Sequence, residues 1–336
     1  TSERRVAALT PTMLALCSIS STSSLIHSWF NPLERWRLPR ADTPAAPKQV
    51  LAYIPGLDGG NGSPFVQFPG LGDLFDVRVQ DVSFAPTASE ASFEAVVDDV
   101  AAYLRELQLD SRGSVVMGES YGGVIAAGVA LRHADLVSGL ILVNPATSVS
   151  VMPALQQDIE TMRFGNVPEA LYALVLFAKV GRKTFDGAFL ATAVKDILIE
   201  KKMEKLRQTD PGLAGYYDAA LEDFVGQLTA AKEARFWRGR LAQLVAGCEY
   251  VEPRLAQIAQ PTLVVAGTAD ALLDSAPEAA RLARILPRCE THLVEGAGHA
   301  GTLDQRVDLP SVVSAWASRS GLGGRRESDE CQGYRR

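Results

Sequence analysis

The feature that most constrains this chain is a Gly-x-Ser-x-Gly pentapeptide at residues 118–122, set between an apolar run and a stretch of small residues. The apolar run, residues 114–117, is typical of a buried strand, whereas residues 122–127 favour a helix. Glycines on both sides of Ser120 indicate a sharp turn in which neighbouring Cβ atoms would have no room. A plain tight turn would account for the pentapeptide but not for its position. The pattern therefore predicts a strand, a turn and a helix, with the Ser120 hydroxyl at the apex.

Acid and base candidates follow Ser120 along the chain. The apolar run 261–267 predicts a strand that ends close to Asp270, and residues 291–295 predict another strand before the glycine-rich loop that holds His299. A serine hydroxyl needs a base within hydrogen-bond reach, and a histidine needs a carboxylate that fixes its tautomer. The order serine, aspartate, histidine is typical of the α/β-hydrolase fold. We therefore predict Ser120, Asp270 and His299 as the catalytic residues.

These assignments have competitors in the sequence. Asp274 also follows the predicted strand, but it lies further past the strand end than Asp270, which could itself serve only to cap the next helix. The remaining histidines are His27, His133 and His292. The first belongs to the N-terminal segment, the second ends a predicted helix, where a positive charge is favourable, and the third lies inside a strand pattern. His299 is the histidine that a loop between elements would present.

A pair of backbone N–H groups is predicted to form an oxyanion hole. One belongs to Tyr121, the residue after the candidate nucleophile. The other is expected after an earlier strand, residues 50–54, which leads into the glycine-containing loop 55–60. Because Gly56 lets the backbone approach closely, Leu57 is the predicted second donor. A surface turn fits the same glycines, and the position of the loop, one strand–helix–strand unit before the serine, favours the functional interpretation.

The rest of the chain predicts an α/β fold with a mostly parallel central sheet, helices on both faces and a helical lid. Strand patterns alternate with helical ones, such as 92–107, where apolar residues recur with a helical period. Residues 148–255 break this alternation and are predicted to be helical, as an insertion over the site. The hydrolase domain is predicted to span residues 48–320, after a segment 1–47 that is either a transit peptide, a secretory signal or a disordered extension. Residues 321–336 are predicted to be a disordered tail.

Composition narrows the classes of partner. The chain of 336 residues is 47% hydrophobic and 21% charged, and its formal net charge of −6 argues against nucleic acid as a partner. It contains no uninterrupted apolar run of about 18 residues, so the sequence predicts no transmembrane segment. The predicted chemistry requires neither a cofactor nor a metal ion.

Four segments together resemble the plastid esterase/lipase/thioesterase family, which includes the phytyl ester synthases of plants and algae. They are the loop 55–59, the pentapeptide with Gly123, the Val-Asn-Pro-Ala-Thr-Ser segment 143–148, and residues 267–273. The resemblance covers roughly residues 48 to 310, and the segment 143–148 is its most specific part. It implies an α/β-hydrolase located in the chloroplast that transfers acyl groups to phytol or diacylglycerol. The plant proteins continue into a second, acyltransferase-like domain, whereas the polar tail of this chain favours a relative with the hydrolase domain alone.

The sequence therefore predicts serine-dependent acyl transfer on lipophilic esters, either as a lipid O-acyltransferase or as the corresponding esterase or lipase. Peripheral contact with a membrane or a lipid droplet would suit such substrates. Two other interpretations stay open: a small-molecule carboxylesterase, and a ligand-binding or receptor protein that keeps the three residues but turns over slowly. The residues do not distinguish water from an alcohol as the acyl acceptor.

Overall fold

The structure, a computed structural model, describes most of the predicted domain but only part of its insertion. The described residues are 27–39, 47–60, 64–82, 90–107, 113–153, 200–229, 234–303 and 307–322. The predicted segment 1–47 and the predicted tail 321–336 fall largely outside these ranges, and so do residues 154–199 of the predicted lid.

One sheet of seven strands organises the described part of the chain. In chain order the strands are β1 (Ser28–Phe30), β2 (Val50–Ile54), β3 (Asp76–Asp81), β4 (Ser114–Glu119), β5 (Val137–Val143), β6 (Thr262–Gly267) and β7 (Cys289–Val294). Their order across the sheet is β1-β3-β2-β4-β5-β6-β7. All neighbours are parallel except β1 and β3, which pair antiparallel. Because parallel strands end at the same edge, the loops after β2, β4, β5, β6 and β7 meet there.

Helices cover both faces of the sheet, as the sequence pattern predicted. They are α1 (Pro32–Arg35), α2 (Phe68–Leu74), α3 (Phe93–Leu107), α4 (Tyr121–Arg132), α5 (Glu200–Thr209), α6 (Pro211–Thr229), α7 (Ala234–Val251), α8 (Ser275–Ile285) and α9 (Leu309–Ser320). One apolar layer contains buried residues of α3, α4, α7 and α8, and the other contains those of α1, α2, α6 and α9.

The strands supply both layers by alternation of their side chains. In β4, for example, Val116 faces the first layer, whereas Val115 and Met117 face the second. All six residues of this strand are buried. A strand covered on both faces reads as a continuous apolar run, and this is why the run before Ser120 shows no alternation of apolar and polar residues.

Part of the predicted N-terminal segment belongs to the fold, which corrects the predicted boundary at residue 47. Ser28–Phe30 form the edge strand β1, and the short helix α1 follows, with the Asn31 side chain capping it. Leu33 and Trp36 are buried in the second apolar layer. The reason is the apolar surface of these side chains, whose burial outweighs the unstructured character that the composition suggested.

The described residues of the predicted insertion form helices α5, α6 and α7. The insertion 148–255 was predicted to be helical without a division between α6 and α7, and the structure shows that these two helices have different neighbours. Helix α6 belongs to the second apolar layer, while α7 packs against α3 and α4 in the first. Among the helices that the structure describes, none is long and apolar enough to cross a membrane.

Candidate active site

Ser120 lies at the apex of a strained turn between β4 and α4. Its backbone has φ 56° and ψ −117°, a left-handed conformation that a residue with a Cβ rarely adopts. The glycines make this turn possible, since a Cβ at Gly118 would lie 2.1 Å from the Gly122 carbonyl oxygen, and one at Gly122 would lie 2.1 Å from the Ile54 carbonyl oxygen. The Ser120 N–H donates to the Val143 carbonyl at 2.9 Å, which ties the turn to strand β5.

His299 reaches the Ser120 hydroxyl from the loop after β7. The His299 Nε2 lies 3.1 Å from Ser120 Oγ, and its Nδ1 lies 2.8 Å from Asp270 Oδ2. All three side chains are buried or nearly so, with Ser120 8% exposed and His299 5% exposed. The structure thus brings together the three residues that the sequence singled out, in one chain of hydrogen bonds.

Asp270 has its carboxylate oxygens occupied on both sides. Its Oδ1 accepts from the backbone N–H groups of Leu272 and Leu273 at 2.9 and 3.0 Å, and its Oδ2 accepts from Ser275 Oγ at 2.5 Å and from His299. The carboxylate therefore shapes the turn after β6 and also holds the imidazole. The competing Asp274 precedes α8 and makes no capping hydrogen bond with its side chain.

His299 and Asp270 shift each other's pKa values. Burial alone would lower the pKa of His299, but the Asp270 carboxylate, with its charge and its hydrogen bond, raises that pKa above the usual 6.5. Burial alone would raise the pKa of Asp270, but the charge of His299 and the hydrogen bonds from His299, Ser275 and Leu273 lower it. The pair therefore favours an ionised aspartate beside an imidazole that binds a proton readily.

The two predicted oxyanion donors flank the serine. Tyr121 is the first residue of α4, where backbone N–H groups have no acceptor within the helix. Leu57 lies in the loop after β2, and its N–H donates no hydrogen bond within the described part of the chain. This loop runs beside Ser120, because a Cβ at Gly56 would lie 3.6 Å from Ser120 Cβ.

Sequence reasoning missed a buried carboxyl group directly behind the serine. Glu119, which is 5% exposed, accepts hydrogen bonds from the Tyr53 hydroxyl at 2.8 Å and from the Thr302 hydroxyl at 3.0 Å. Burial raises its pKa to about 7, although the hydrogen bond from Tyr53 acts in the opposite direction. A glutamate at the last position of an apolar strand was the available signal, since such a residue needs polar partners.

Asn144, at the end of β5, was also missed as a single residue, although it lies in the segment 143–148 that carried the family resemblance. Its Nδ2 donates to the His299 carbonyl at 2.7 Å, and its Oδ1 accepts from the Gly267 N–H at 2.9 Å. Its backbone also has a positive φ of 42°, which asparagine tolerates better than most residues. This one side chain connects the ends of β5 and β6 with the histidine loop.

The other histidines lie away from Ser120, and two of them pair with aspartates. His27 contacts Asp99 at 2.9 Å, and His133 contacts Asp98 at 2.7 Å. His292 belongs to β7. Among the described residues, no group of three or more His, Cys, Asp and Glu side chains is arranged to hold a metal ion.

A strained serine after a central parallel strand, a histidine after the last strand and an aspartate between them define an α/β-hydrolase. The sequence profile of the alpha/beta hydrolase family matches residues 25–309, and the chain belongs to this family. The predicted fold class is therefore confirmed. The predicted class of enzyme, a hydrolase or acyltransferase, is confirmed at the level of the family.

Two curated relatives are phytyl ester synthases of Arabidopsis thaliana. The chain is 30% identical to chloroplastic phytyl ester synthase 1 over 296 residues, and 23% identical to chloroplastic phytyl ester synthase 2 over 309 residues. Both matches cover 85% of this chain, but only 38% and 39% of the respective relative. The chain thus spans less than half the length of these relatives.

Solved structures of other hydrolases share the fold. A thermophilic esterase from Thermogutta terrifontis superimposes with a TM-score of 0.53 at 20% identity, covering 82% of this chain and 92% of the esterase. The enol-lactonase from Burkholderia xenovorans LB400 gives a TM-score of 0.57 at 17% identity, covering 83% and 94%. At these identities the likeness concerns the fold alone.

Proposed function

We propose that this chain catalyses serine-dependent acyl transfer on lipophilic esters. The observation that carries the proposal is the continuous hydrogen-bond chain from Ser120 through His299 to Asp270, with 3.1 and 2.8 Å between the bonded atoms. In this arrangement the base lies within reach of the hydroxyl proton, and the carboxylate fixes the tautomer of the base.

The reaction would proceed in two halves. Ser120 Oγ attacks the ester carbonyl while His299 Nε2 accepts its proton, and the N–H groups of Leu57 and Tyr121 hold the negative oxygen of the tetrahedral intermediate. When this intermediate collapses, the carbon–oxygen bond to the leaving alcohol breaks, and His299 returns the proton to that alcohol. Water or a second alcohol then attacks the acyl-enzyme, with His299 again acting as the base. The bond between Ser120 Oγ and the acyl carbon breaks, His299 returns the proton to Ser120 Oγ, and the acid or the new ester leaves.

Similarity to the phytyl ester synthases supports a lipophilic acyl donor and an alcohol acceptor such as phytol or diacylglycerol. It also supports a location in the chloroplast, because both Arabidopsis relatives are chloroplastic. A bulky substrate of low solubility in water would suit a site whose proposed catalytic side chains are themselves almost fully buried. We propose this substrate class for the chain, with peripheral contact to a membrane or lipid droplet as the route of access.

Incubation with a labelled long-chain acyl donor in the presence and absence of phytol tests the proposal. We expect a labelled phytyl ester with the acceptor present, and a free fatty acid without it. A series of p-nitrophenyl esters gives the second measurement, because each buried CH₂ contributes about 0.8 kcal/mol and kcat/KM should rise with chain length. A maximum at acetate or butyrate would identify a small-molecule carboxylesterase instead. Stoichiometric labelling of Ser120 by a fluorophosphonate without steady turnover would identify a binding protein.

A further inference from the structure

A buried arginine from the insertion contacts the loop that carries one of the proposed oxyanion donors. Arg240, on helix α7, is 3% exposed. Its Nε donates to the Leu57 carbonyl at 2.8 Å, and its Nη2 donates to the Gly56 carbonyl at 2.6 Å. Arginine is rarely buried to this extent, because removing its charge from water is costly. Burial indeed lowers the pKa of Arg240, with the Asp58 carboxylate acting in the opposite direction.

The position of these contacts suggests what the arginine does. The Gly56 carbonyl and the Leu57 N–H belong to the same peptide group, and this peptide is trans. In a planar trans peptide the carbonyl and the N–H point in opposite directions. By holding the Gly56 carbonyl towards α7, Arg240 turns the Leu57 N–H away from α7. Because this loop lies against the nucleophile and the Leu57 N–H has no acceptor in the described part of the chain, the N–H is available to a substrate oxygen.

The arginine also acts on the strength of this donor. A carbonyl that accepts a hydrogen bond from a cation polarises its peptide group, and the N–H of that group becomes a better donor. The charge of Arg240 is thus transmitted to the Leu57 N–H without direct contact between the guanidinium and the substrate.

Two further residues of α7 contact the loop after β2 and Tyr121. Phe236, Arg240 and Gln243 share one helix face, since they are spaced by four and three residues. A Cβ at Gly59 would lie 3.2 Å from the Phe236 ring, and Gln243 Oε1 accepts from the Tyr121 hydroxyl at 3.0 Å. The Arg240 guanidinium lies 4.9 Å from the centre of the Tyr121 ring. Helix α7 therefore contacts both residues whose N–H groups we assign to the oxyanion hole.

We propose that Arg240 is a positioning residue for acyl transfer, which fixes and polarises the Gly56–Leu57 peptide so that the Leu57 N–H stabilises the oxyanion. This inference rests on the proposed function, because an oxyanion forms only if Ser120 attacks a carbonyl. It adds a role for the insertion: helix α7 completes the catalytic machinery as well as covering the sheet.

The test compares Arg240→Met and Arg240→Lys with Arg238→Met, which changes an exposed arginine of the same helix. Removing one oxyanion donor from a serine enzyme reduces kcat by about 10²–10³-fold. We therefore expect Arg240→Met to lower kcat by roughly 10²-fold, with KM changed little, and Arg240→Lys to restore part of the loss. The Arg238→Met variant should retain kcat.

Affinity for an alkyl trifluoromethyl ketone separates positioning from a purely structural role. The ketone forms a tetrahedral adduct with Ser120 whose oxygen occupies the oxyanion hole, whereas a long-chain alcohol binds without forming one. Arg240→Met should reduce the affinity for the ketone by the same factor by which it reduces kcat, and it should leave the affinity for the alcohol unchanged. Equal weakening of both ligands, or none, would overturn the proposal. If the methionine variant does not fold, the same pair of affinities measured on Arg240→Lys decides.

A separate measurement distinguishes this proposal from the function on which it depends. If Ser120→Ala retains full activity, the proposed function itself is wrong. If Ser120→Ala is inactive while Arg240→Met acts as wild type, the acyl-transfer mechanism stands and the role of Arg240 is refuted.

Discussion

The side-chain amide of Asn144 donates a hydrogen bond to the backbone carbonyl of His299 at 2.7 Å, so the loop that presents the proposed base is anchored to the strand beside the proposed nucleophile. The same amide accepts the Gly267 N–H, and Asn144 is 1% exposed. One buried polar side chain thus links the ends of β5 and β6 to the loop after β7. The separation between His299 and Ser120 depends on this connection as well as on the hydrogen bond between the two residues.

Replacing Asn144 with aspartate tests this connection. The variant keeps an acceptor for the Gly267 N–H and tolerates the positive φ, but it loses the donor to His299 and places a carboxylate against a carbonyl. We expect a loss of about 1–3 kcal/mol in the free energy of unfolding, measured in urea, because a buried acceptor loses its partner. The rate of acylation should fall as His299 moves. Wild-type stability together with wild-type activity would contradict the role assigned to Asn144.

Ser120→Ala should abolish turnover. Loss of the nucleophile leaves only residual catalysis, so we expect a fall in kcat of about 10⁴-fold or more. The smaller side chain fits the same turn, and the thermal midpoint should therefore stay close to that of the wild type. Fluorophosphonate labelling of the two proteins provides the control, since the alanine variant should not be labelled.

Asp270→Asn should be far more damaging than Asp274→Asn. The first change removes the carboxylate that contacts His299 Nδ1, and in other serine triads such a loss costs about 10⁴-fold in kcat. The second change affects a residue that precedes α8 and makes no side-chain cap. Steady-state rates of the two variants check this. A larger loss of activity in Asp274→Asn than in Asp270→Asn would show that the acid has been assigned to the wrong residue.

The activity should rise with pH through a midpoint above 6.5. His299 acts as a base only when it is neutral, and the nearby Asp270 raises its pKa above this usual value. Protonation therefore removes activity on the acid side, and the plateau is reached at a pH above the raised pKa. Asp270→Asn removes the main cause of the increase, so its midpoint should move to lower pH. The pH profile of kcat/KM measures both, and a wild-type midpoint below 6.5 would contradict the assignment.

The free energy of unfolding should depend on pH through the titration of Glu119. Its pKa in the folded state is about 7, against an ordinary value of 4.5, so the folded protein binds a proton here that the unfolded chain has lost. This contribution to stability is fully present below pH 4.5 and is lost as the pH rises through 7. Relative to the wild type, Glu119→Gln should therefore gain up to about 3 kcal/mol between pH 4.5 and 8.

Urea unfolding of the two proteins at several pH values checks this prediction. Both proteins contain His299, whose pKa is raised in part by Glu119, so the difference between them reports Glu119 together with its coupling to His299. Parallel stability curves for the wild type and Glu119→Gln would show that this carboxyl group does not change its protonation on folding.

The helices and strands that could be predicted from the sequence are those whose apolar residues recur with the period of the element, because one or both of their faces are buried. The predicted strand 50–54 coincides with β2, and the predicted helix 92–107 differs from α3 by one residue. The turn at Ser120 was predictable because its glycines are required by backbone contacts that hold in any fold of this kind. Asp270 and His299 were predicted from their positions, because each follows a strand at the same edge of the sheet.

Other parts of the site depend on distant contacts that no local pattern records. The strand β1 has three residues, and it exists because it pairs with β3. Arg240 contacts backbone carbonyls of a loop more than a hundred positions away, and backbone groups leave no trace in residue identities. The division between α6 and α7 was also missed. Both segments have helical periodicity, and only their contacts with different parts of the fold distinguish them.

The two variable positions of the pentapeptide are anchored to opposite sides of the sheet. Glu119 binds Tyr53 and Thr302 on one side, whereas Tyr121 contacts Gln243 and Arg240 on the other. Among homologous sequences, substitutions at position 119 should therefore covary with positions 53 and 302, and substitutions at position 121 with 240 and 243. The serine between them can stay in place while either half of the protein evolves separately.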